Sequence, residues 1–130
     1  EAARLMLTAS RDPAAVHDTD EWWIERRLIA RKLLDEGQAQ TAYRIARDPA
    51  RPQKENLAVE QLFTAGWIAL RFLNDPGTAA KHFQEIGQAS RHPTSLARAS
   101  YWLGRASEAA GHANEARSHY EAAETGRPPH

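Results

Sequence analysis

Leu34-Asp35-Glu36-Gly37-Gln38-Ala39 and Ala109-Ala110-Gly111-His112-Ala113 place a glycine at a helix break twice, 74 residues apart. A second pair of strings, Ala79-Ala80-Lys81-His82-Phe83 and Ala116-Arg117-Ser118-His119-Tyr120, sets the aromatics Phe83 and Tyr120 37 residues apart. Glycine just past a helix end takes positive φ with no Cβ penalty, so each break reads as helix, turn, helix. A shared spacing near 37 marks an array of helix-turn-helix units. Arrays of this kind hold and position other molecules.

Composition agrees. Alanine, the best helix former, fills 25 of 130 positions. Val, Ile, Thr and Phe are too sparse for an all-β chain. The length allows one domain, 1–130, with a real core. Seventeen basic side chains balance seventeen acidic ones, which argues against nucleic acid and anionic membranes as partners. No apolar run is long enough for a transmembrane segment. With no cysteine, disulfides and cysteine-held metals are excluded. The start, Glu1-Ala2-Ala3-Arg4, has no Met and no leader, and reads as an excised piece or processed product.

Along the chain, residues 1–10 read as the end of a preceding helix, stopped by Arg11-Asp12-Pro13. Asp18 with Glu21 forms a capping pattern, so a helix follows over about 19–36. At 100° per residue, Trp22, Trp23, Ile29, Ala30, Leu33 and Leu34 share one face, while Ile24 and Leu28 lie opposite. Two apolar faces imply neighbours on both sides. The partner helix spans about 38–47, and Asp48-Pro49-Ala50-Arg51-Pro52 ends this first pair, 19–47. The second pair covers 53–90, turning at Asn74-Asp75-Pro76-Gly77. The third covers 93–124, with Leu96, Ala99, Leu103, Ala106 and Ala110 along one helix and Ala116, Tyr120 and Ala123 along the other. The expected fold is all-α, a right-handed α-solenoid of antiparallel helix hairpins. The third pair resembles a tetratricopeptide repeat in the spacing of Leu103-Gly104, Gly111, Ala116, Tyr120, Ala123 and Pro128. Gly104 would let its two helices approach closely.

Four blocks carry a wider resemblance. They are Trp22-Trp23-Ile24-Glu25-Arg26-Arg27, Ala42-Tyr43-Arg44-Ile45-Ala46, Ala65-Gly66-Trp67-Ile68-Ala69-Leu70-Arg71-Phe72-Leu73 and Ala97-Arg98-Ala99-Ser100-Tyr101-Trp102-Leu103-Gly104-Arg105-Ala106. Together they resemble the superhelical domain of the soluble lytic murein transglycosylase family, over roughly residues 18–124. The resemblance implies a periplasmic protein of peptidoglycan turnover, whose helical superhelix precedes a lysozyme-like catalytic domain that leaves 1,6-anhydro sugars. It also implies two partners, the parent's own C-terminal catalytic domain and peptidoglycan. That domain's Glu-Ser and Gly-Leu-Met-Gln motifs do not occur here: Glu36 precedes Gly37, Glu55 precedes Asn56 and Glu60 precedes Gln61. No residue of this chain inherits a catalytic role, and no cofactor is implied.

The residues offer little chemistry of their own. Glu21 and Glu25 fall on a solvated helix face near a cap. His17 sits in the same cap region, and His112 and His119 are too far apart for a compact ligand pair, so no metal site is expected. Trp22, Trp67, Tyr101 and Trp102 are the candidate ligand-binding rings, since one ring of each adjacent pair must leave the packing seam. Gly37, Gly104, Gly111 and Tyr120 read as structural. Arg26 falls inside the apolar stripe of α-helical residues Trp22, Ile29 and Leu33. It should pair with a carboxylate on an adjacent helix, with Glu60 the choice, and its loss should cost about 1–4 kcal/mol. Arg27, Arg31 and Lys32 read as a solvated face. A non-catalytic transglycosylase segment is the first reading, a tetratricopeptide-like protein-binding module the second. A complete small enzyme finds no motif to support it.

Overall fold

Three helices of 17 residues set the frame: Thr19–Asp35 (α2), Glu55–Arg71 (α4) and Pro93–Ala109 (α6). Each is followed by a shorter helix: Ala39–Ala46 (α3), Pro76–Ala89 (α5) and Ala113–Thr125 (α7). An eight-residue helix, Ala2–Ala9 (α1), comes first and packs on α2 and α3. The computed structural model describes residues 2–9, 18–48 and 50–126, and over these the protein is all-α, with seven helices. The expectations at Arg11-Asp12-Pro13, His17, Pro49 and Arg127-Pro128-Pro129-His130 lie outside the described residues.

The turns explain the repeat. Gly37 stands at φ +78° and Gly111 at φ +83°. In each, two backbone bonds close a Schellman cap: Gln38 N–H to Leu33 C=O and Gly37 N–H to Leu34 C=O in one, His112 N–H to Ser107 C=O and Gly111 N–H to Glu108 C=O in the other. Asn74, midway between the glycines, is the one positive-φ residue other than glycine among those described, at φ +57°. So a positive-φ residue recurs at 37, 74 and 111, although the middle turn is one residue longer and closes differently, with Asp75 N–H on Ala69 C=O. Helix starts are capped locally. Asp18 accepts from the Asp20 and Glu21 N–H groups, and Asp75 accepts from Thr78 N–H. Asp20 also accepts from Gln53 and Lys54 N–H, which ties the start of α2 to the start of α4.

Within each hairpin the long helix packs on the short one. Two glycines let this happen closely. A Cβ at Gly66 would lie 2.6 Å from the Phe83 ring, and one at Gly104 would lie 2.5 Å from the Tyr120 ring. Both glycines hold the twelfth position of their helix, and both rings the eighth. In the first hairpin those two positions are Ala30 and Ala46, both buried. Between hairpins, α3 packs on α4 and α5 on α6, and the long helices touch in turn, α2 with α4 and α4 with α6. The core forms two clusters, one around Trp23, Ile45 and Ile68, the other around Phe83, Leu70 and Ile86. Tyr43 packs against both.

Three sequence expectations change. Leu28 is 60% exposed while Ile24 is half-buried, so the second face of α2 is covered only in part. On α6 the buried face is narrower than its stripe: Ala99 and Ala106 are buried, Leu96 and Ala110 exposed. On α7 Ala122 is more deeply buried than Ala123, because that side of the helix turns toward α5 and α6.

Candidate binding grooves

The short helices pack mainly on the long ones, and α3 meets α5 through Tyr43 and His82. A space therefore opens wherever two consecutive short helices flank a long one. The first groove lies where the end of α3, α4 and α5 meet. It has a volume of about 120 Å³ and is lined by Arg47, Asp48, Arg51, Gln61, Leu62, Ala65, His82 and Glu85. The second lies between α5, α6 and α7, with about 490 Å³. Phe83, Leu96, Ala99, Leu103 and Ala122 line it, with His119, Ser100 and Gln84 as polar members.

The two grooves are the same place one repeat apart. His82 and His119 are both the seventh residue of their helix. Gln61 corresponds to Ala99 and Ala65 to Leu103 on the long helices, and Glu85 to Ala122 on the short ones. Substitution at matching positions has made one groove polar and the next apolar. His82 Nε2 lies 2.7 Å from the Tyr43 hydroxyl. Burial pulls its pKa below the usual 6.5, and the Arg47 and Arg51 charges reinforce this against Glu85. Burial likewise raises the Tyr43 phenol. The residue matching Tyr43 on α5 is Ala80, and His119 keeps a buried Nδ1 with no partner.

Arg26 lies beneath the polar groove, against Asp48, which lines it. It is fully buried, at 0% exposure. Its Nε donates to Ile45 C=O at 2.8 Å, and its Nη atoms donate to Ala46 at 3.0 Å and Ala50 at 3.2 Å, with Asp48 C=O at 3.4 Å. Ile45 and Ala46 carry the last two carbonyls of α3, and those of Asp48 and Ala50 follow it, so the guanidinium sits at the C-terminal end of a helix, where a positive charge is favourable. The Asp48 carboxylate stands 4.0 Å away. Glu60 is not its partner, contrary to expectation. Glu60 instead accepts from Trp23 Nε1 and Arg27, which draws Arg27 off the solvated face. The reason is geometric: the α2–α3 turn folds the end of α3 back onto Arg26, while Glu60 meets the neighbouring positions of α2. Burial lowers the Arg26 pKa to about 10 and Asp48 opposes this, so the guanidinium stays charged at neutral pH. Gln61 completes the cap, donating to Ala46 C=O at 3.2 Å and Asp48 C=O at 2.7 Å.

The candidate rings do not converge. Trp22 and Trp67 are half-buried beside the first core cluster, and Trp67 meets Phe72 edge-on. Trp102 packs among Phe63, Phe83 and Tyr101 in the second. Tyr101, 41% exposed, is the one ring of the four open to solvent. It contacts Tyr120 and accepts from Arg105. Tyr120 donates to Glu108, and burial with that bond lifts its pKa to about 12. Gly37, Gly104 and Gly111 sit at the turns and close contact described above.

As chemistry, the grooves present binding groups. Glu21 and Glu25 are exposed on α2, remote from both. Among the described residues no three His, Asp or Glu side chains converge as a cation cage requires. Gln61, Arg47 and His82 were not singled out from the sequence, although the paired strings ending His82-Phe83 and His119-Tyr120 carried the signal. No known protein family, curated protein or solved structure matches this chain.

Proposed function

We propose that this chain is a non-catalytic superhelical segment of a periplasmic peptidoglycan lytic transglycosylase. It forms a right-handed α-solenoid that braces the parent's catalytic domain and guides glycan strands during cell-wall turnover. One observation supports the reading: a hairpin plan with a positive-φ residue at 37, 74 and 111 recurs along residues 18–124, the span that resembles that family's superhelix. The family blocks hold the close contacts of the plan, since Gly66 and Gly104 both lie within them. A stack of such hairpins buries a continuous core and presents an extended surface, which suits a scaffold.

Sedimentation with purified sacculi tests the reading. The chain should co-sediment and release no 1,6-anhydro fragments by itself. A parent protein whose remaining sequence encodes no lysozyme-like domain with a Glu-Ser motif would overturn it. The apolar groove of about 490 Å³ supports a second reading, a tetratricopeptide-like module that docks a partner's apolar side chains. In that case a protein ligand, and not sacculi, would compete for the α5–α6–α7 surface.

A further inference from the structure

Tyr43 and His82 show how this fold holds a tyrosine. The phenol hydroxyl lies 2.7 Å from His82 Nε2, and the two rings meet edge-on with centroids 5.7 Å apart. The α5–α6–α7 groove repeats that place and keeps the histidine without the tyrosine. His119 stands where His82 stands, and Ala80 where Tyr43 stands. Gln61 and Glu85, which line the polar groove, are matched by Ala99 and Ala122. Shorter side chains at all three positions accompany a volume of about 490 Å³ against about 120 Å³.

The chemistry left in the larger groove is narrow. Phe83, Leu96, Leu103 and Ala122 supply apolar walls, and no Asp, Glu, Lys or Arg lines it. Leu96 is 37% exposed, an aliphatic side chain open to water. His119 makes no hydrogen bond among the described residues; its Nδ1 is buried, so Nε2 is the ring nitrogen left within a ligand's reach. A charged ligand group would be desolvated here without a counter-charge. A purely aliphatic one would strip water from Nε2 and return no hydrogen bond. A phenol answers both conditions, and its hydroxyl suits either imidazole tautomer, since it donates and accepts.

The groove is also longer than one ring. Gly104 packs on Tyr120, so Leu103 and His119 share one end of it. Leu96 lies two helical turns away, beside Gly87, whose added Cβ would meet the leucine at 4.0 Å. The volume equals roughly sixteen waters, more than a tyrosine side chain displaces. A polypeptide that offers a second apolar residue fills this length, and a free phenol does not.

We propose that this groove docks a tyrosine side chain of a partner polypeptide. The hydroxyl meets His119 Nε2, the ring lies against Phe83 and Leu103, and a neighbouring apolar residue of the partner covers Leu96. The inference deepens the protein-docking alternative, on which it rests, and is independent of binding to sacculi.

Nuclear magnetic resonance of the labelled 130-residue chain tests this, with acetyl-Tyr-Leu-amide, acetyl-Phe-Leu-amide, acetyl-Leu-Leu-amide and 4-methylphenol as probes. The Leu96 and Leu103 methyls and the His119 ring should shift saturably with acetyl-Tyr-Leu-amide. Loss of the hydroxyl in acetyl-Phe-Leu-amide should weaken binding about tenfold, the scale of one buried hydrogen bond. With His119→Phe the two peptides should bind alike. Ala80→Tyr should set a phenol on His119 from within, as Tyr43 does on His82, and so abolish binding while the chain stays folded. Equal binding of the Tyr and Phe peptides to the unaltered chain, or unchanged binding to the Ala80→Tyr chain, would overturn the proposal. If 4-methylphenol bound as tightly as acetyl-Tyr-Leu-amide, the partner would be a small phenol and the polypeptide assignment would fall. Preference for acetyl-Leu-Leu-amide would sink the tyrosine and leave protein docking standing. No shift from any of the four would sink both.

Discussion

Replacing Arg26 by Met should unfold the end of α3 and cost about 3–5 kcal/mol, the scale of breaking one side of a buried pair. Four backbone carbonyls, of Ile45, Ala46, Asp48 and Ala50, receive this guanidinium. Ala46 and Asp48 keep Gln61 as a donor. Ile45 keeps only a long bond from Asp48 N–H at 3.5 Å, and Ala50 keeps none that the structure shows. Each acceptor left dry costs about 1–3 kcal/mol. The Asp48 carboxylate, in a residue 6% exposed, loses its counter-charge and retains Ala50 N–H. Burying Arg26 is itself opposed by desolvation, as its lowered pKa records. That does not rescue the variant, because backbone carbonyls cannot be mutated away with the charge.

Urea unfolding read by tryptophan fluorescence is the direct assay, since the Trp23 ring lies 5.3 Å from the guanidinium carbon. A domain of this size has about 5–15 kcal/mol in total, so the loss should lower the midpoint severely. Arg26→Lys should recover little, as an ammonium cannot reach carbonyls spread over a fork. Asp48→Asn should cost less than half as much, because every carbonyl keeps its donor. A loss below about 1 kcal/mol for Arg26→Met, or full recovery with Lys, would refute the capping argument.

Gly104→Ala should cost about 1–3 kcal/mol by overpacking against Tyr120, and much of this should vanish in a Tyr120→Leu background; thermal melts of both backgrounds would check it. Gly111→Ala, at φ +83°, should cost about 1–2 kcal/mol although nothing lies near its absent Cβ, so the loss would be backbone strain alone. Asn74→Gly should hold or raise the melting temperature, since glycine takes φ +57° more freely than asparagine. For His82 the folded pKa lies below the unfolded 6.5, so the unfolded chain binds its proton first. Stability should therefore fall as pH drops below about 6.5, down to the lowered folded value. A His82→Gln chain should show a shallower fall in the same urea titration; an unchanged slope would place the titration elsewhere.

The sequence by itself determined the helices and the turns. Glycine is the residue that tolerates positive φ without strain, so Gly37 and Gly111 announced their breaks, and prolines with Asp18 and Asp75 marked where helices start. Asn74 hid the middle repeat, because its string looked like an ordinary turn and not like a third copy. The burial of Arg26 was readable from its place in an apolar stripe, since a helix period is a local property. Its partner was not, because the carbonyls it caps arrive through a fold-back across the turn. The same holds for Trp22 and Trp23: both fit the seam by angle, and only packing against α3 and α4 buries Trp23 and leaves Trp22 at the edge. The grooves belong wholly to tertiary structure. They exist because consecutive short helices lean mainly on the long helix between them, which brings Arg47, Gln61 and His82 from three elements into one cavity.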